Sequence, residues 1–292
     1  MDIISCLNAA GFEEQAKILE KYKLSTIKIQ TEPAEEDDFE LGESKIGGAA
    51  HLPPDFIWPE FWDCPLIFIA QFNLADIKKY DLDKKLPQEG MLYFFYEGGR
   101  ESFGDDLNKK GSFFVAHYKG DISKLEVIDM SEYAEFSPCK LNFSSEYVYP
   151  YGEHLFSIGL SEEESDTIFF IEGLDRTKAF DEIMDEYHDK MVTCADSQHQ
   201  LLGYANSVQN EVMLECQLVT NGIPCLDEEI YDSPEAKAFE EGVKDWTLLF
   251  QIDSDENADI LWGDYGKVYF AIKKDDLAAG NFDNIWGVLQ ME

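Results

Sequence analysis

A chain of 292 residues that is 45% apolar and 14% aromatic has material for a sizeable hydrophobic core, which excludes general disorder. Its 60 acidic residues against 23 basic ones give a formal net charge of -37, a field that repels phosphate backbones and anionic lipid and so argues against nucleic-acid and membrane partners. Arg100 and Arg176 are the only arginines, so bidentate forks for phosphate or base edges are scarce. No run approaches the roughly 18 apolar residues of a membrane span, and the opening MDIISCLNAAGFEEQ lacks the basic start of a secretory signal. Cys6, Cys64, Cys139, Cys194, Cys216 and Cys225 are spread without a Cys-x-x-Cys pair. In the cytoplasm, the expected location, they remain free thiols.

Asn8 to Tyr22 sets Phe12, Ala16, Ile18, Leu19 and Tyr22 on one side and charges opposite, the spacing of an amphipathic helix. Ser25 to Gln30 reads as a short strand, and Glu32 to Glu40, with no periodic apolar residue beyond Phe39, as a solvated connection. Gly47 and Gly48 open a proline-punctuated loop that runs through Trp58 and Pro59. From Leu66 to Leu74 both alternating faces are mostly apolar, which predicts a central strand. A lysine-rich turn or short helix over Asp76 to Lys85 leads through Gly90 to a buried strand at Met91 to Tyr96. The loop with Gly98, Gly99 and Gly104 lacks the Gly-Lys-Ser/Thr end of a phosphate loop and reads as a hairpin connection.

Strands are expected at Ser112 to Tyr118 and Leu125 to Ile128, successive in a meander, and at Leu141 to Tyr149. Ser161 to Asp166 reads as an acidic turn, and Leu174 to Met191 as a helix with Phe180, Ile183, Met184 and Tyr187 at helical spacing. Val212 to Thr220 is expected to be a strand, Ser233 to cap a helix from Pro234 to about Val243, and the last strands to be Trp246 to Ile252 and Lys267 to Ile272.

Three stretches recur in order. LIFIAQFNL (66–74) matches LLFQID (248–253), setting Gln71 against Gln251 and Asn73 against Asp253; GMLYFF (90–95) matches GKVYFA (266–271); SKIGGAA (44–50) matches HQLLGYA (199–205). They predict one globular domain over 1–292 with two similar halves, about 25–150 and 151–292, related by a pseudo-twofold. The expected fold class is α+β, internally duplicated, with mostly antiparallel sheets and a few flanking helices.

The strings SKIGGAAHLPPDFIWP, PLIFIAQFNL, GMLYFFYE, HQLLGYANSVQ and WTLLFQIDSDENADILWGDYGKVYFAIKKDDL, with a late Ile-Trp, resemble the YwqG-like family of mostly bacterial proteins. The resemblance runs from about Thr26 to Trp286, and this chain has Ala50 and Ala205 where the family pattern carries proline. It implies the duplicated α+β fold and transfers no catalytic residue, because the family's function is unknown.

Gln71 and Gln251 each sit on an otherwise apolar strand face, where an amide without partners costs about 1–3 kcal/mol. Pairing across the pseudo-axis would satisfy both, and a pocket between the halves would be lined by Gln71, Asn73, Gln251, Asp253, Trp262 and Asp264. The stretch DSDENADILWGD places Asp253, Asp255, Asn257, Asp259 and Asp264 at the spacing of a calcium-loop ligand set, making calcium or magnesium the candidate ion. Against it, Ala258 replaces the turn glycine, Asp264 replaces a bidentate Glu, and the flanks are strands, so a solvated hairpin loop competes. Cys194 and His199 lie close in sequence without the other ligands of a zinc site, and Cys64 beside Trp62 has no base, so no catalytic residue and no other cofactor is nominated. Two functions compete. One is a non-enzymatic acidic interaction module that captures a basic protein, with an immunity-type role as one version. The other is a small-molecule or divalent-metal binding protein, or an enzyme, using a cleft between the halves.

Overall fold

Alternating and doubly apolar strand runs dominate the chain, and in the computed structural model they assemble into one ten-stranded antiparallel sheet. The structure describes residues 2–99, 102–128, 136–192, 197–231 and 233–291. The strands are β1 (Leu24–Pro33), β2 (Lys45–Ile46), β3 (Ile67–Asn73), β4 (Met91–Tyr96), β5 (Phe113–Tyr118), β6 (Cys139–Val148), β7 (His199–Leu202), β8 (Trp246–Asp253), β9 (Lys267–Lys273) and β10 (Trp286–Gln290). Their order is β10-β9-β8-β7-β1-β6-β2-β3-β4-β5. The long central pair, β1 and β6, runs from Leu24 opposite Val148 to Pro33 opposite Cys139. Helices accompany this sheet, so the fold is of mixed α+β class.

The sheet curls until its edges nearly meet. Leu289 of β10 donates its N–H to the Phe103 carbonyl at 2.9 Å, and the Trp286 indole donates to the Gly104 carbonyl at 2.8 Å. A side chain at Gly287 would collide with the Phe113 ring of β5. The strip from 102 to 104 thus covers the open edge of a nearly closed barrel, removing an unpaired ladder that would otherwise invite association.

Inside the barrel, Phe72 meets Phe250 with ring centroids 5.1 Å apart, and Phe94 lies 4.8 Å from Phe250 and 5.1 Å from Phe270. Alternation sends the neighbouring residues outward, where Tyr93 and Phe95 join one apolar cluster and Tyr269 and Ala271 another. Both faces are buried, which explains why these strands read as continuous apolar runs.

The halves carry matching ladders. Lys45 pairs with Gln71 and Ile46 with Ala70 between β2 and β3, while Gln200 pairs with Gln251 and Leu201 with Phe250 between β7 and β8. The register slips between Phe68 and Ala70 opposite β4, and between Leu248 and Phe250 opposite β9. These are the positions that the recurring stretches align.

Five helices matter below: α1 (Ile3–Ala9), α2 (Glu13–Lys21), α3 (Glu162–Phe169), α4 (Leu174–Val192) and α5 (Val212–Thr220). Several expectations are corrected here. The N-terminal helix is two helices, broken where Gly11 adopts a left-handed φ of 82°. Residues 161–166 are not a turn but the start of α3, because Ser161 and Glu164 form a reciprocal capping box. The expected strand at 212–220 is α5: Glu211 caps it, and Val212, Met213, Cys216 and Val219 bury a helical stripe against the sheet. Glu126–Ile128 does not extend a meander from β5 but pairs with Ala50–Leu52. The acidic segment after β1 is ordered by Glu36, which accepts a 2.5 Å bond from the fully buried Lys45 ammonium and a 3.0 Å bond from the Ala49 N–H.

Gly47 takes a φ of 67°, and a Cβ there would stand 2.3 Å from the Ser137 carbonyl oxygen. Gly11 is also left-handed but has nothing within 4 Å of that position. Gly47→Ala should therefore lower unfolding free energy in urea by about 1–3 kcal/mol more than Gly11→Ala. Equal losses would contradict the close approach at Gly47.

Candidate functional site

The structure separates the two glutamines that sequence symmetry brings together. Phe72 and Phe250 point into the barrel and touch, so their neighbours Gln71 and Gln251 point out of it on opposite sides. The expected pairing of Gln71 with Gln251 is therefore corrected. Gln71 accepts from the His51 N–H at 2.8 Å and donates to the Glu43 carbonyl at 2.7 Å. Gln251 accepts from the Asn206 N–H at 2.9 Å and donates to the Gln198 carbonyl at 2.7 Å. Each fully buried amide thus clamps both ends of the glycine-bearing loop in its own half. A tyrosine completes each clamp: Tyr93 donates to the His51 carbonyl at 2.7 Å and Tyr269 to the Asn206 carbonyl at 2.8 Å.

The other nominated residues do not line a shared pocket either. Asn73 accepts from the Ala75 N–H and takes the Ser44 hydroxyl as acceptor for its own N–H at 2.8 Å. Asp253 accepts from the Gln198 N–H at 2.9 Å, and its own N–H donates to His199 Nδ1 at 3.1 Å. Trp262 is fully buried in the barrel core, 5.7 Å from the Tyr96 ring and 5.3 Å from the Phe136 ring, while Asp264 is exposed.

The acidic loop folds around internal hydrogen bonds. Asp255 is buried and accepts from the Thr31 hydroxyl at 2.5 Å, His199 Nε2 at 3.0 Å and the Asn257 N–H at 2.9 Å. Burial alone would raise its pKa, but these bonds and the neighbouring imidazole win and hold it down at about 2. Asn257 donates to the Thr31 carbonyl at 3.2 Å, and Asp259, left-handed at φ 53°, accepts from the Ser137 hydroxyl. Among the described residues no three His, Cys, Asp or Glu side chains are grouped to hold a metal. Of the pair Cys194 and His199, Cys194 lies outside the described residues.

Sequence reading missed two features. The first is a buried acid pair on α5. Glu211 and Glu215 are pushed up by desolvation to about 7 and about 8, and Glu215 is held by the Tyr231 hydroxyl and, at 3.5 Å, by Gln290 Nε2. Reading 212–220 as a strand hid the i, i+4 spacing that sets both on one helix. The second is an exposed aromatic face on the helical layer. Helices α1 to α4 share a core that includes Phe12, Leu19, Ile168, Phe180 and Tyr187, so their inner faces are satisfied. Phe156 and Phe170 nevertheless remain 75% and 76% exposed, and Phe156 stacks on Phe169 with centroids 4.7 Å apart. Phe156 and Phe169 line a groove of about 370 Å³ bordered by Glu240, Glu241 and Lys244, and Lys244 is already paired with Glu241 at 3.1 Å. Exposed Glu162, Glu163, Asp166 and Glu172 surround the same segment.

Replacing either clamp, Gln71→Leu or Gln251→Leu, strands a buried N–H and a buried carbonyl, and each variant should lose roughly 2–4 kcal/mol in urea unfolding. A loss under about 0.5 kcal/mol would remove the clamp from the fold's support. The acid pair sets a pH dependence. Its native pKa values lie above the unfolded value of about 4.3, so the native state holds more protons between them. Stability therefore falls as pH rises from about 4.3 through about 7 to 8, at about 1.4 kcal/mol per pH unit for each group. Glu215→Gln should flatten that fall in unfolding curves taken from about pH 5 to about pH 9. Parallel curves for variant and parent would show that Glu215 is not desolvated.

No curated protein is similar in sequence to this chain. The family described as Domain of unknown function (DUF1963) matches residues 44–290, a span that takes in both clamps, the acidic loop and strands β2 to β10. The chain belongs to that family.

Proposed function

We propose that this is a YwqG-like bacterial protein, its halves the products of a duplication, that acts in the cytoplasm as a non-enzymatic acidic module docking a basic protein, with immunity-type capture of a toxin as one version of the role. The duplication is supported by the repeated clamps: two glutamines, two tyrosines and two glycine loops joined by the same atoms. The docking reading is carried by one observation, the exposed stack of Phe156 on Phe169 with Phe170 beside it, set among carboxylates. Large aromatic residues left in water at the centre of a polar rim have the anatomy of an interface, and such faces are seldom idle. The net charge of -37 steers basic partners toward the molecule over long range, and the phenyl rings supply the short-range affinity that screened charges lack.

Immobilised protein exposed at low salt to a lysate of its source cells should retain a basic protein in stoichiometric amount and release it as salt is raised. The double variant Phe156→Ser, Phe170→Ser, at two exposed positions that the fold does not need, should weaken that capture at least about tenfold. Failure to retain a basic protein, or retention that the double variant leaves intact, overturns the docking reading.

A further inference from the structure

A cavity of about 710 Å³ lies at one end of the barrel and draws on both halves. The first half contributes the loop from 83 to 89, between β3 and β4, together with His117 and Lys119 at the end of β5. The second contributes Thr247 and the helix α6 (Lys274–Ala279) that follows β9, with Gly280. Its polar lining is basic: Lys84, Lys85, Lys119 and Lys274 stand there against Asp83 and Glu89. That concentration runs against the composition of the chain, in which acids outnumber bases 60 to 23.

Several lysines elsewhere on the chain pair with carboxylates. Lys17 pairs with Glu14, Lys21 with Glu164, Lys23 with Glu20, Lys45 with Glu36 and Lys244 with Glu241. None of the four cavity lysines makes an ion pair with a carboxylate among the described residues. The pKa of Lys274 is lowered, first by desolvation and next by the positive charge of Lys85, while Asp245 acts in the opposite sense. Its ammonium bonds to a neutral acceptor, the Lys244 carbonyl. Lys84 is held at a left-handed φ of 53° in a turn tied by the buried Asp81, which accepts from the Leu86 N–H at 2.7 Å. The backbone of the basic loop is therefore fixed at Leu86, while Lys84 and Lys85 are exposed. Leu86 and Leu277, both 4% exposed, with Pro87 and Ala278, give the cavity apolar walls.

We infer that this inter-half cavity is a binding site for a small organic phosphate, whose phosphoryl oxygens would take the charges of Lys84, Lys85, Lys119 and Lys274 while its organic body lies against Leu86, Pro87 and Leu277. Lysine ammoniums are compact point charges suited to phosphate oxygens, and this cavity has no arginine fork to favour a planar carboxylate. The volume falls within the usual range for metabolite sites. His117 adds a polar group of a different kind. Its Nε2 faces the Glu89 carbonyl at 3.1 Å, an acceptor, so Nε2 carries the proton and a neutral ring leaves Nδ1 as an acceptor. Nδ1 has no partner among the described residues. The site does not depend on the docking face, which is built from other elements.

Isothermal titration and thermal melting of the full-length protein with inorganic pyrophosphate and with glycerol 3-phosphate test the assignment, using citrate and equal ionic strength of sodium chloride as comparisons. Both phosphates are expected to bind saturably and raise the melting temperature. Lys85→Gln, Lys274→Gln should fold as well as the parent, since it relieves a repulsion, and should lose at least about tenfold in phosphate affinity. Lys178→Gln, on the exposed face of α4, should bind as the parent does. Absence of saturable binding by both phosphates, or binding that the cavity variant retains in full, overturns the site. Citrate binding as tight as pyrophosphate overturns the phosphate assignment.

Discussion

A buried primary amide needs partners at both its ends, and in this fold that requirement is met by main chain alone. Gln71 and Gln251 each grip the first and last residues of a loop that also contains a bridging strand. Those strands are short, Lys45–Ile46 in one half and His199–Leu202 in the other. Yet they join the outer hairpins to the central β1–β6 pair, so the continuity of the whole sheet passes through them. Two ladder positions would be a weak seam. Each clamp adds two side-chain bonds, and a tyrosine a third, to the loop beside that seam. The backbone conformations follow from the same geometry: Gly47 and Gly48 are left-handed in the first loop, and Leu202 and Gly203 in the second. A leucine thus accepts in one half the strained angle that glycine carries in the other, which shows how strongly the surroundings determine the turn.

The parts of this arrangement that were legible in the sequence are those with a local signature. Strands β3, β4, β8 and β9 announce themselves because both of their faces are buried, and matching strings predicted which positions correspond. Correspondence is not contact, however. Gln71 and Gln251 occupy equivalent places, and equivalence across a barrel sets them on opposite outer faces, each with its own loop. Trp262 was expected to line a pocket between the halves, whereas its ring belongs to the barrel core. Helix α5 was misread because it is apolar nearly all round, which erases the period that distinguishes a buried helix from a strand. The aromatic face left no signal at all, since exposure of Phe156 and Phe170 depends on what the rest of the chain fails to cover.

The charge excess shapes the surface more than the fold. Some exposed lysines meet a carboxylate, as in Lys17–Glu14 and Lys244–Glu241, and such pairs contribute little to stability because solvent screens them. The informative cations are those that converge without an ion-pair partner among the described residues. Four of them face one cavity, where the repulsion of Lys274 by Lys85 is only partly offset by Asp245.

That cavity also bears on how the halves communicate. Its walls come from the β3–β4 loop of one half and the helix after β9 of the other, elements joined through the sheet only by way of the central strands. An anion seated between Lys85 and Lys274 would replace a repulsion between the halves with a shared counter-charge. It would therefore tighten that end of the barrel. Binding energy at such a place acts on the relative position of the two parts of the sheet, so the cavity has a mechanical consequence that a pocket within one of them would lack.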